Sequence, residues 1–512
     1  MGIFCLVLHT HLPYVRRNGV WPSGEDFFHQ AASECYLPLL GALERIAERG
    51  ARDALTIGLS PMVAHQMQDR HLLDELGTYL ARIELRAMRQ ITNYHGPFEP
   101  EFRELAAFYA RFGREQEALL DGLGGGGIAT AFDTLARAEA FEILGGPATH
   151  PFLPRVTEPA LAGAQVRLGA REHERVLGRR LAGMWLPECA YTPGAGIERL
   201  LGSAGVGHVV IDGPTMLRSA GPGSTFTPRR IGESDVVAFA RNLDVTYRVW
   251  SPTGGYPTGA WYRDFFHYDI EAGFKDWRVT SIRKPVNEKR PYEPARAIAA
   301  ARADAEGFAS LVASSLDAYE RETGREGVVV AAYDTELFGH WWFEGPAFLE
   351  HLFEVLPGTG VRARSLAKAL AELPEPTPVA LEEGSWGFRK DDRSWVADET
   401  LPMWDVLVQV EAETVALLRK TVGAQGARAE AVSQAVREAM LLQSSDWPFM
   451  IVRGRNADYA RERFDAHRAR WDHMATLAAS DLPDALIASE VRALYEIDNI
   501  LPGLEPADVL NG

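Results

Sequence analysis

Continuous apolar runs that stop abruptly at polar residues recur along the first two-thirds of the chain. The clearest runs cover residues 3–8, 55–59, 184–186, 209–211 and 328–332. Runs of this length without polar alternation are typical of strands that are buried on both faces of a parallel sheet. Helical patterns, such as those over 36–49 and 295–323, lie between the runs. The alternation predicts an α/β fold, and a barrel accommodates the length.

Two parts of the chain depart from this rhythm. Residues 67–93 and 101–123 show helical spacing with dense charge, which predicts a helical hairpin inserted after the second strand. From residue 401 onward the strand signals disappear. Helices are predicted there over 406–422, 427–443, 456–476 and 483–499.

These patterns divide the chain into three predicted domains. Residues 1–65 and 126–400 form the catalytic barrel, residues 66–125 the inserted helical domain, and residues 401–512 the C-terminal helical domain. The four glycines at 124–127 lack the GK[ST] ending of a phosphate loop, so they are interpreted as a flexible linker. The proline-rich LPEPTP at 373–378 is a second candidate linker.

Composition and charge narrow the possible functions. The 512 residues include 53 Lys+Arg against 70 Asp+Glu, a net charge of −17. That balance argues against a nucleic-acid binder and against docking on an anionic membrane. No apolar run approaches the roughly 18 residues of a membrane span. Three cysteines without paired spacing indicate neither a disulfide framework nor a thiolate zinc site, and a cytoplasmic location is predicted.

Two carboxylates directly follow predicted strands. Glu188 lies among aromatic residues in MWLPECAY, and Asp334 ends the strongest apolar run. In a parallel barrel both positions lie at the carboxyl ends of the strands, where active sites are built. A surface-loop glutamate and a helix-capping aspartate are the plainer interpretations. Aromatic neighbours, however, lower solvation and tune a carboxylate for nucleophilic or acid/base work.

Other candidate residues leave several chemistries open. His9 and His11 alternate at the end of the first run, so one would face a pocket while the other packs. They could bind substrate or a metal, but spacing alone favours ordinary buried histidines. Cys189 could be a thiol nucleophile, although a small buried residue is favoured. Neither a GxSxG elbow nor a Rossmann fingerprint occurs in the sequence.

Tryptophans in polar segments point to a carbohydrate ligand, because the apolar face of a sugar ring stacks on an indole. Any single one is more often a packing residue. Eight lie in segments that also carry Gly or Pro: Trp21, Trp261, Trp341, Trp342, Trp386, Trp395, Trp404 and Trp447.

At this point six segments match a known family. They are HTHLPY at 9–14, WPSGE at 21–25, GPATH at 146–150, WLPECAY at 185–191, DTELFGHWW at 334–342 and GSWG at 384–387. The sequence resembles glycoside hydrolase family 57 over nearly its whole length, and within that family it is similar to the 1,4-α-glucan branching enzymes.

The resemblance implies a fold and a mechanism. It implies an incomplete (β/α)7 barrel with an inserted helical hairpin domain and a C-terminal all-helical domain. It also implies that Glu188 is the nucleophile and Asp334 the general acid/base of a retaining mechanism that needs neither metal nor cofactor. The expected substrate is an α-glucan, and a monomer is expected.

The resemblance further implies a set of substrate-binding residues. Three histidines match positions that line the donor site: His9, His11 and His150. Four tryptophans match aromatic positions around the glucan groove: Trp21, Trp261, Trp395 and Trp404. The helical domain is expected to contribute Asp446 and Trp447 to the cleft. The predicted set is completed by Arg263, His340 and Trp341.

One departure from the family pattern concerns the step in which the glucosyl group passes to its acceptor. Branching enzymes of this family carry a mobile loop over the cleft with a tyrosine at its tip. Alignment places that loop at 221–230 and puts Phe226 in the tyrosine position, although Tyr247 or Tyr256 could serve instead. If the tyrosine hydroxyl is needed for transfer, its loss lowers the rate of transfer to a glucan relative to the rate of hydrolysis by water. An α-glucan hydrolase is therefore the alternative, and a catalytically weak glucan-binding protein is a third hypothesis, against which both intact carboxylate motifs speak.

Overall fold

The structure, a computed structural model, describes residues 2–93, 96–268 and 273–510. Its strands are β1 (Ile3–Thr10), β2 (Thr56–Leu59), β3 (Glu142–Leu144), β4 (His208–Ile211), β5 (Arg229–Ile231), β6 (Val237–Ala240), β7 (Trp277–Arg278), β8 (Arg290–Pro291), β9 (Val328–Asp334), β10 (Arg362–Ala363) and β11 (Pro378–Val379).

The helices fall into three groups along the chain. Those before the long β6–β9 connection are α1 (Glu25–Ala31), α2 (Leu37–Glu48), α3 (Pro61–Gln66), α4 (Arg70–Asn93), α5 (Glu99–Gly122), α6 (Gly127–Arg137), α7 (Pro159–Leu177), α8 (Ile197–Ser203) and α9 (Gly213–Ala220). The next are α10 (Leu243–Trp250), α11 (Pro294–Thr323), α12 (Gly345–Val355) and α13 (Leu366–Glu372). The C-terminal group is α14 (Leu401–Lys420), α15 (Gly426–Leu442), α16 (Asp446–Val452), α17 (Ala457–Ala478), α18 (Asp484–Tyr495) and α19 (Ala507–Leu510).

The buried strand β1 organises the first sheet. It pairs in parallel with β9 from Ile3↔Val328 to His9↔Asp334. On its other edge it pairs with β10 at its start and with β2 at its end, and β2 pairs with β3. All of these ladders are parallel, so their carboxyl ends meet at one edge, as expected for strands that read as continuous apolar runs.

A second sheet, in the order β11-β5-β6-β4, continues the ring. Isolated parallel bridges join the two sheets at Gly145↔Met184, Gly183↔His208 and Arg241↔Val330. Seven parallel segments therefore surround the core. Three of the contacts between neighbouring segments are single bridges rather than full ladders. This is the incomplete (β/α)7 barrel that the resemblance implies. The predicted strand at 184–186 forms only a bridge, whereas the short strands β3 and β6 were not predicted.

The helical predictions correspond closely to observed elements. The helices α4 and α5 pack against each other as a hairpin, and the C-terminal group contains no strand within the described residues up to 510. None of the described helices has the length and apolar character needed to span a membrane.

Both linker predictions need correction. Residues 124–126 form a 3₁₀ turn, and Gly127 starts α6 with a φ of 69°. A Cβ on Gly127 would lie 2.7 Å from the carbonyl oxygen of Met67, so Gly127 is closely packed, whereas Gly124 and Gly125 are exposed with open space around them. The segment 373–378 leads directly into β11, which pairs with β5 inside the second sheet.

Candidate active site

Polar side chains cluster where the barrel strands end. They are His9 and Asp334 at the ends of β1 and β9, Ser60 after β2, His150 after β3, Asp212 after β4 and Arg241 after β6. Because the ladders are parallel, these side chains share the carboxyl edge of the barrel, the face on which barrel enzymes place their active sites.

Glu188 lies on a strained turn at this edge. The 3₁₀ turn Pro187–Cys189 holds Glu188 at a φ of 61° and Cys189 at a φ of 50°. Residues other than glycine adopt this left-handed region rarely, and such strain is common at functional sites. The carbonyl oxygen of Glu188 accepts a hydrogen bond from the backbone N–H of Trp386 at 2.9 Å, and Tyr191 forms a bridge with Gly384. A distant segment therefore fixes the turn.

Both oxygens of the Glu188 carboxylate accept hydrogen bonds. The Ser445 hydroxyl donates to Oε1 at 2.7 Å, and the Trp386 indole N–H donates to Oε2 at 2.7 Å. Burial raises the pKa of Glu188, and these two donors oppose that rise by stabilising the ionised form. The arrangement presents a buried, oriented carboxylate.

Asp334 has a different environment. It is the last residue of β9 and neighbours His9 across the β1–β9 ladder. Burial, followed by the nearby charge of Glu188, raises the pKa of Asp334 to about 7, although Arg241 acts in the opposite direction. A carboxylic acid that retains its proton near neutral pH can act as a general acid.

Three histidines stack beside the carboxylates. His11 and His150 are parallel with ring centroids 3.7 Å apart, and His9 stacks on Trp185 at 4.4 Å. His11 also hydrogen-bonds Asp446 Oδ2 at 3.0 Å. His9 and His11 do not diverge as strand alternation predicted, because β1 ends at Thr10 and both rings turn toward His150.

A buried ion cluster, missed by the sequence analysis, supports the Trp386 side. The Arg241 Nε donates to Asp212 Oδ1 at 2.9 Å, and the Lys390 Nζ lies 3.0 Å from Asp212 Oδ2. The Arg241 guanidinium lies 5.2 Å from the Trp386 ring centroid. Asp212 directly follows a predicted strand, so the rule that selected Glu188 could have found it. Arg241 follows β6, a strand that was not predicted.

Comparison with known proteins identifies the family that shares this arrangement. The family model described as "Glycosyl hydrolase family 57" matches residues 5–378. The chain belongs to glycoside hydrolase family 57. A second model, described as "1,4-alpha-glucan branching enzyme, C-terminal", matches residues 406–508, which include Ser445 and Asp446.

Relatives of this family 57 chain extend over nearly its whole length. A probable 1,4-α-glucan branching enzyme of Mycobacterium tuberculosis is 38% identical over 491 residues, covering 91% of this chain and 90% of the relative. The crystal structure of a family 57 branching enzyme from Pyrococcus horikoshii superposes with a TM-score of 0.92 at 30% identity, covering 99% and 96% of the two chains. The α-amylase AmyC of Thermotoga maritima shares the fold, with a TM-score of 0.87, 24% identity and 99% coverage of both chains.

Two predicted substrate-binding residues of this family 57 chain lie in a buried cluster around Glu34. The Arg263 Nη1 lies 3.0 Å from Glu34 Oε1, and the His340 Nδ1 lies 2.8 Å from Glu34 Oε2. The Arg263 guanidinium also lies 3.9 Å from the Phe343 ring centroid. The geometry therefore assigns both side chains to an ion network around Glu34, a residue that the sequence analysis missed.

The predicted tryptophans divide by exposure. Trp447 is fully buried among the C-terminal helices, where its N–H donates to the carbonyl oxygen of Leu441, and Trp395 is fully buried against Phe152. Both indoles are enclosed by protein, and their contact with a glucan stays a prediction. Trp404 is half-buried and donates to the carbonyl oxygen of Trp395 at 3.1 Å.

The remaining tryptophans are more accessible. Trp21 is 69% exposed and lines a cleft of about 460 Å³ against α17. Trp341 is 39% exposed. The half-buried ring of Trp261 lies between two guanidinium groups, those of Arg278 at 4.1 Å and Arg296 at 4.8 Å. These three indoles can still contact a ligand.

The structure corrects the position of Phe226. Its ring stacks on Tyr319 at 4.7 Å, and Gly327, directly before β9, lies against its Cβ. Asp334 ends β9 seven residues later, which is about 20 Å along a strand. Phe226 is therefore at the opposite end of the barrel from the carboxylates.

The two other candidate tyrosines also differ in position. The ring centroid of Tyr247 lies 5.7 Å from the Lys390 Nζ, which places Tyr247 beside the cluster around Asp212. Tyr256 packs on Trp342 and Phe348. Tyr247 therefore lies near the active-site end, and Tyr256 packs on residues that follow Asp334 in the chain, whereas Phe226 lies at the opposite end.

Proposed function

We propose that the chain is a 1,4-α-glucan branching enzyme, in which Glu188 is the nucleophile and Asp334 the general acid/base. One observation carries the proposal: the segment matched by the branching-enzyme C-terminal model supplies Ser445, whose hydroxyl contacts Glu188 at 2.7 Å. The Mycobacterium tuberculosis relative, which aligns over about nine-tenths of both chains, is named a probable 1,4-α-glucan branching enzyme, and that name supports the same activity.

In the first step, Glu188 attacks the anomeric carbon of an α-1,4-linked glucose. The bond to the departing chain breaks, and Asp334 gives its proton to the leaving 4-oxygen. The product is a covalent glucosyl-enzyme with inverted anomeric configuration. The pKa of Asp334, raised to about 7, suits this acid role at neutral pH.

In the second step, the 6-hydroxyl of another glucan attacks the same carbon. Asp334 accepts the hydroxyl proton while the bond to Glu188 breaks, which restores the anomeric configuration as an α-1,6 branch. In the intermediate Glu188 is a neutral ester. Its charge no longer raises the pKa of Asp334, so the pKa of Asp334 falls as its role changes from acid to base.

An α-glucan hydrolase is the second candidate, with water in place of the 6-hydroxyl. The position of Phe226 favours keeping this alternative, because that side chain cannot shield the cleft from the opposite end of the barrel. The fold shared with AmyC allows both acceptors. Exclusion of water from the second step decides between them.

The test is incubation of amylose with purified protein, counting reducing ends before and after isoamylase treatment. Ends that appear only after debranching support branching. Ends that appear at once, without further release on debranching, support hydrolysis.

We also propose that the substrate is an α-glucan, that the enzyme acts as a cytoplasmic monomer, and that the domain boundaries are those predicted from sequence. The three buried, unpaired cysteines are compatible with a reducing compartment. Size-exclusion chromatography with light scattering tests the monomer.

A further inference from the structure

A continuous chain of hydrogen bonds leads from β1 to the proposed nucleophile. The His9 Nε2 lies 3.0 Å from the His150 Nε2, and the His150 Nδ1 lies 3.0 Å from the Ser445 Oγ. The Ser445 Oγ lies 2.7 Å from Glu188 Oε1. All four residues are buried, so bulk water competes little for these contacts.

The position of each proton in this chain follows from the ionised carboxylate. An ionised Glu188 only accepts, so Ser445 must donate its one hydroxyl proton to Oε1. Ser445 can then only accept from His150, which places a proton on the His150 Nδ1. If His150 is neutral, its Nε2 carries a lone pair and must accept from the Nε2–H of His9. Every bond in the chain therefore points toward Glu188.

Two further observations agree with this direction. The His9 Nδ1 lies against Gly58 and has no hydrogen-bond partner among the described residues, as expected for an unprotonated nitrogen of the Nε2–H tautomer. Burial lowers the pKa of His9 and of His150 well below the usual range, which keeps both rings neutral.

The backbone holds the central link in place. The Ser445 N–H donates to the His150 carbonyl oxygen at 3.0 Å, and Ser444 forms an antiparallel bridge with Pro151. His150 adopts a left-handed φ of 53° to make this contact. The loop after β3 and the turn before α16 are thus joined by side chains and backbone at once.

We infer that His9, His150 and Ser445 form one oriented hydrogen-bond chain that positions Glu188, and that Ser445, from the C-terminal helices, is its final positioning residue. This inference rests on the proposed function, because it takes Glu188 to be the nucleophile. It assigns the C-terminal helices a direct part in aligning that nucleophile.

Kinetics of Ser445→Ala and Ser445→Thr test the role of the hydroxyl. We expect Ser445→Ala to lower kcat roughly 10- to 100-fold, the usual effect of losing a hydrogen bond to a charged group, with little change in KM. Ser445→Thr, which keeps the hydroxyl, should recover most of kcat. Ser433→Ala is the matched control, because the Ser433 hydroxyl bonds only within α15 and its loss should leave kcat unchanged.

Nitrogen-15 NMR of labelled histidines tests the direction of the chain without measuring activity. We expect His150 to be neutral with its proton on Nδ1 and His9 to be neutral with its proton on Nε2. His150→Gln and His9→Gln variants assign the two signals. In Ser445→Ala, the His150 signal should shift, because its Nδ1–H loses its acceptor.

The possible outcomes separate this inference from the proposed function. An unchanged kcat in Ser445→Ala, or a His150 that carries its proton on Nε2 in the unmodified protein, overturns the oriented chain. If Ser445→Ala fails to fold, the tautomers of the unmodified protein still decide. Full activity of Glu188→Gln would instead overturn the proposed function, while the NMR result would stand.

Discussion

The two carboxylates at the barrel mouth share one site but are held in opposite ways. Glu188 lies on a turn with left-handed backbone, and both of its oxygens accept hydrogen bonds from segments far away in the sequence. Asp334 ends the regular strand β9, and within the described parts of the chain no donor hydrogen-bonds its carboxyl group. At Glu188, the hydrogen bonds from Ser445 and Trp386 oppose the rise in pKa that burial causes, whereas burial and the charge of Glu188 both raise the pKa of Asp334.

This difference assigns the two chemical roles. Environments that separate the pKa values of two neighbouring carboxyl groups produce one nucleophile and one acid from the same functional group. The strained turn provides rigid orientation at Glu188. The end of β9 buries Asp334 but, within the described residues, supplies no hydrogen-bond donor that would stabilise its ionised carboxylate. Five predictions test this difference and the surroundings of the two carboxylates.

The largest expected effect comes from Glu188→Gln. The amide keeps the shape but is not a nucleophile, so the rate of glucan cleavage should fall by several orders of magnitude. Initial rates on amylose measure the change, and circular dichroism checks the fold. Near-normal turnover would remove Glu188 from the role of nucleophile.

Asp334→Asn should have the next largest effect. Loss of the general acid should slow cleavage of ordinary amylose by roughly 10²- to 10⁴-fold. Aryl glucosides with good leaving groups need less protonation, so their bond cleavage should be partly spared. Comparing the two donors in one variant is the measurement. An amylose rate equal to that of the unmodified enzyme would contradict the acid/base role.

The pH dependence tests the state of Asp334 directly. The first step needs protonated Asp334, whose pKa is raised to about 7, so kcat/KM should fall as pH rises through about 7. Short maltooligosaccharides are suitable donors for this profile. Asp334→Asn should lose this alkaline limb, and a limb that persists in the variant would belong to another group.

Trp386→Phe tests the other hydrogen bond to Glu188. The change keeps an aromatic ring but removes the indole N–H that donates to Oε2. We expect kcat to fall roughly 10-fold or more, since hydrogen bonds to charged groups contribute about 1.5–3 kcal/mol. Trp471→Phe is the matched control, because its N–H bonds Thr414 inside the C-terminal helices. Equal effects in both variants would point to packing rather than to the hydrogen bond.

The smallest expected effect is that of Phe226→Tyr. At the amino end of the barrel, a new hydroxyl cannot reach the acceptor, so the ratio of transfer to hydrolysis should not change. Tyr247→Phe, at the active-site end, serves as the comparison and should alter the ratio more. Counting branches and free reducing ends from amylose measures the ratio for both. A ratio that shifts in Phe226→Tyr would mean that segment 221–230 visits the cleft.

Much of this framework was readable from local patterns. Apolar runs located β1, β2, β4 and β9, and helical spacing located the α4–α5 hairpin and the C-terminal helices. The three-residue strand β3 and the four-residue strand β6 were not predicted, although β2 and β4, which are also four residues long, were. With β6 unseen, Arg241 at its end was missed as well.

The burial of single aromatic residues was not readable in this way. Trp447 and Trp395 lie in polar segments but are enclosed by residues from elsewhere in the chain. Trp21 lies in an equally polar segment and is exposed. Local sequence contains no information on which neighbour will cover an indole.

The family motifs, the order of most strands and helices, and the positions of Glu188 and Asp334 after apolar runs can all be inferred from the amino-acid sequence alone. The hydrogen bond between Ser445 and Glu188, 257 residues apart, and the position of Phe226 at the opposite end of the barrel became known only from the folded structure. The physical reason is that strand and helix patterns arise from interactions between near neighbours in the chain. Contacts across the site depend instead on how distant segments pack, which parallel pairing and domain docking determine together.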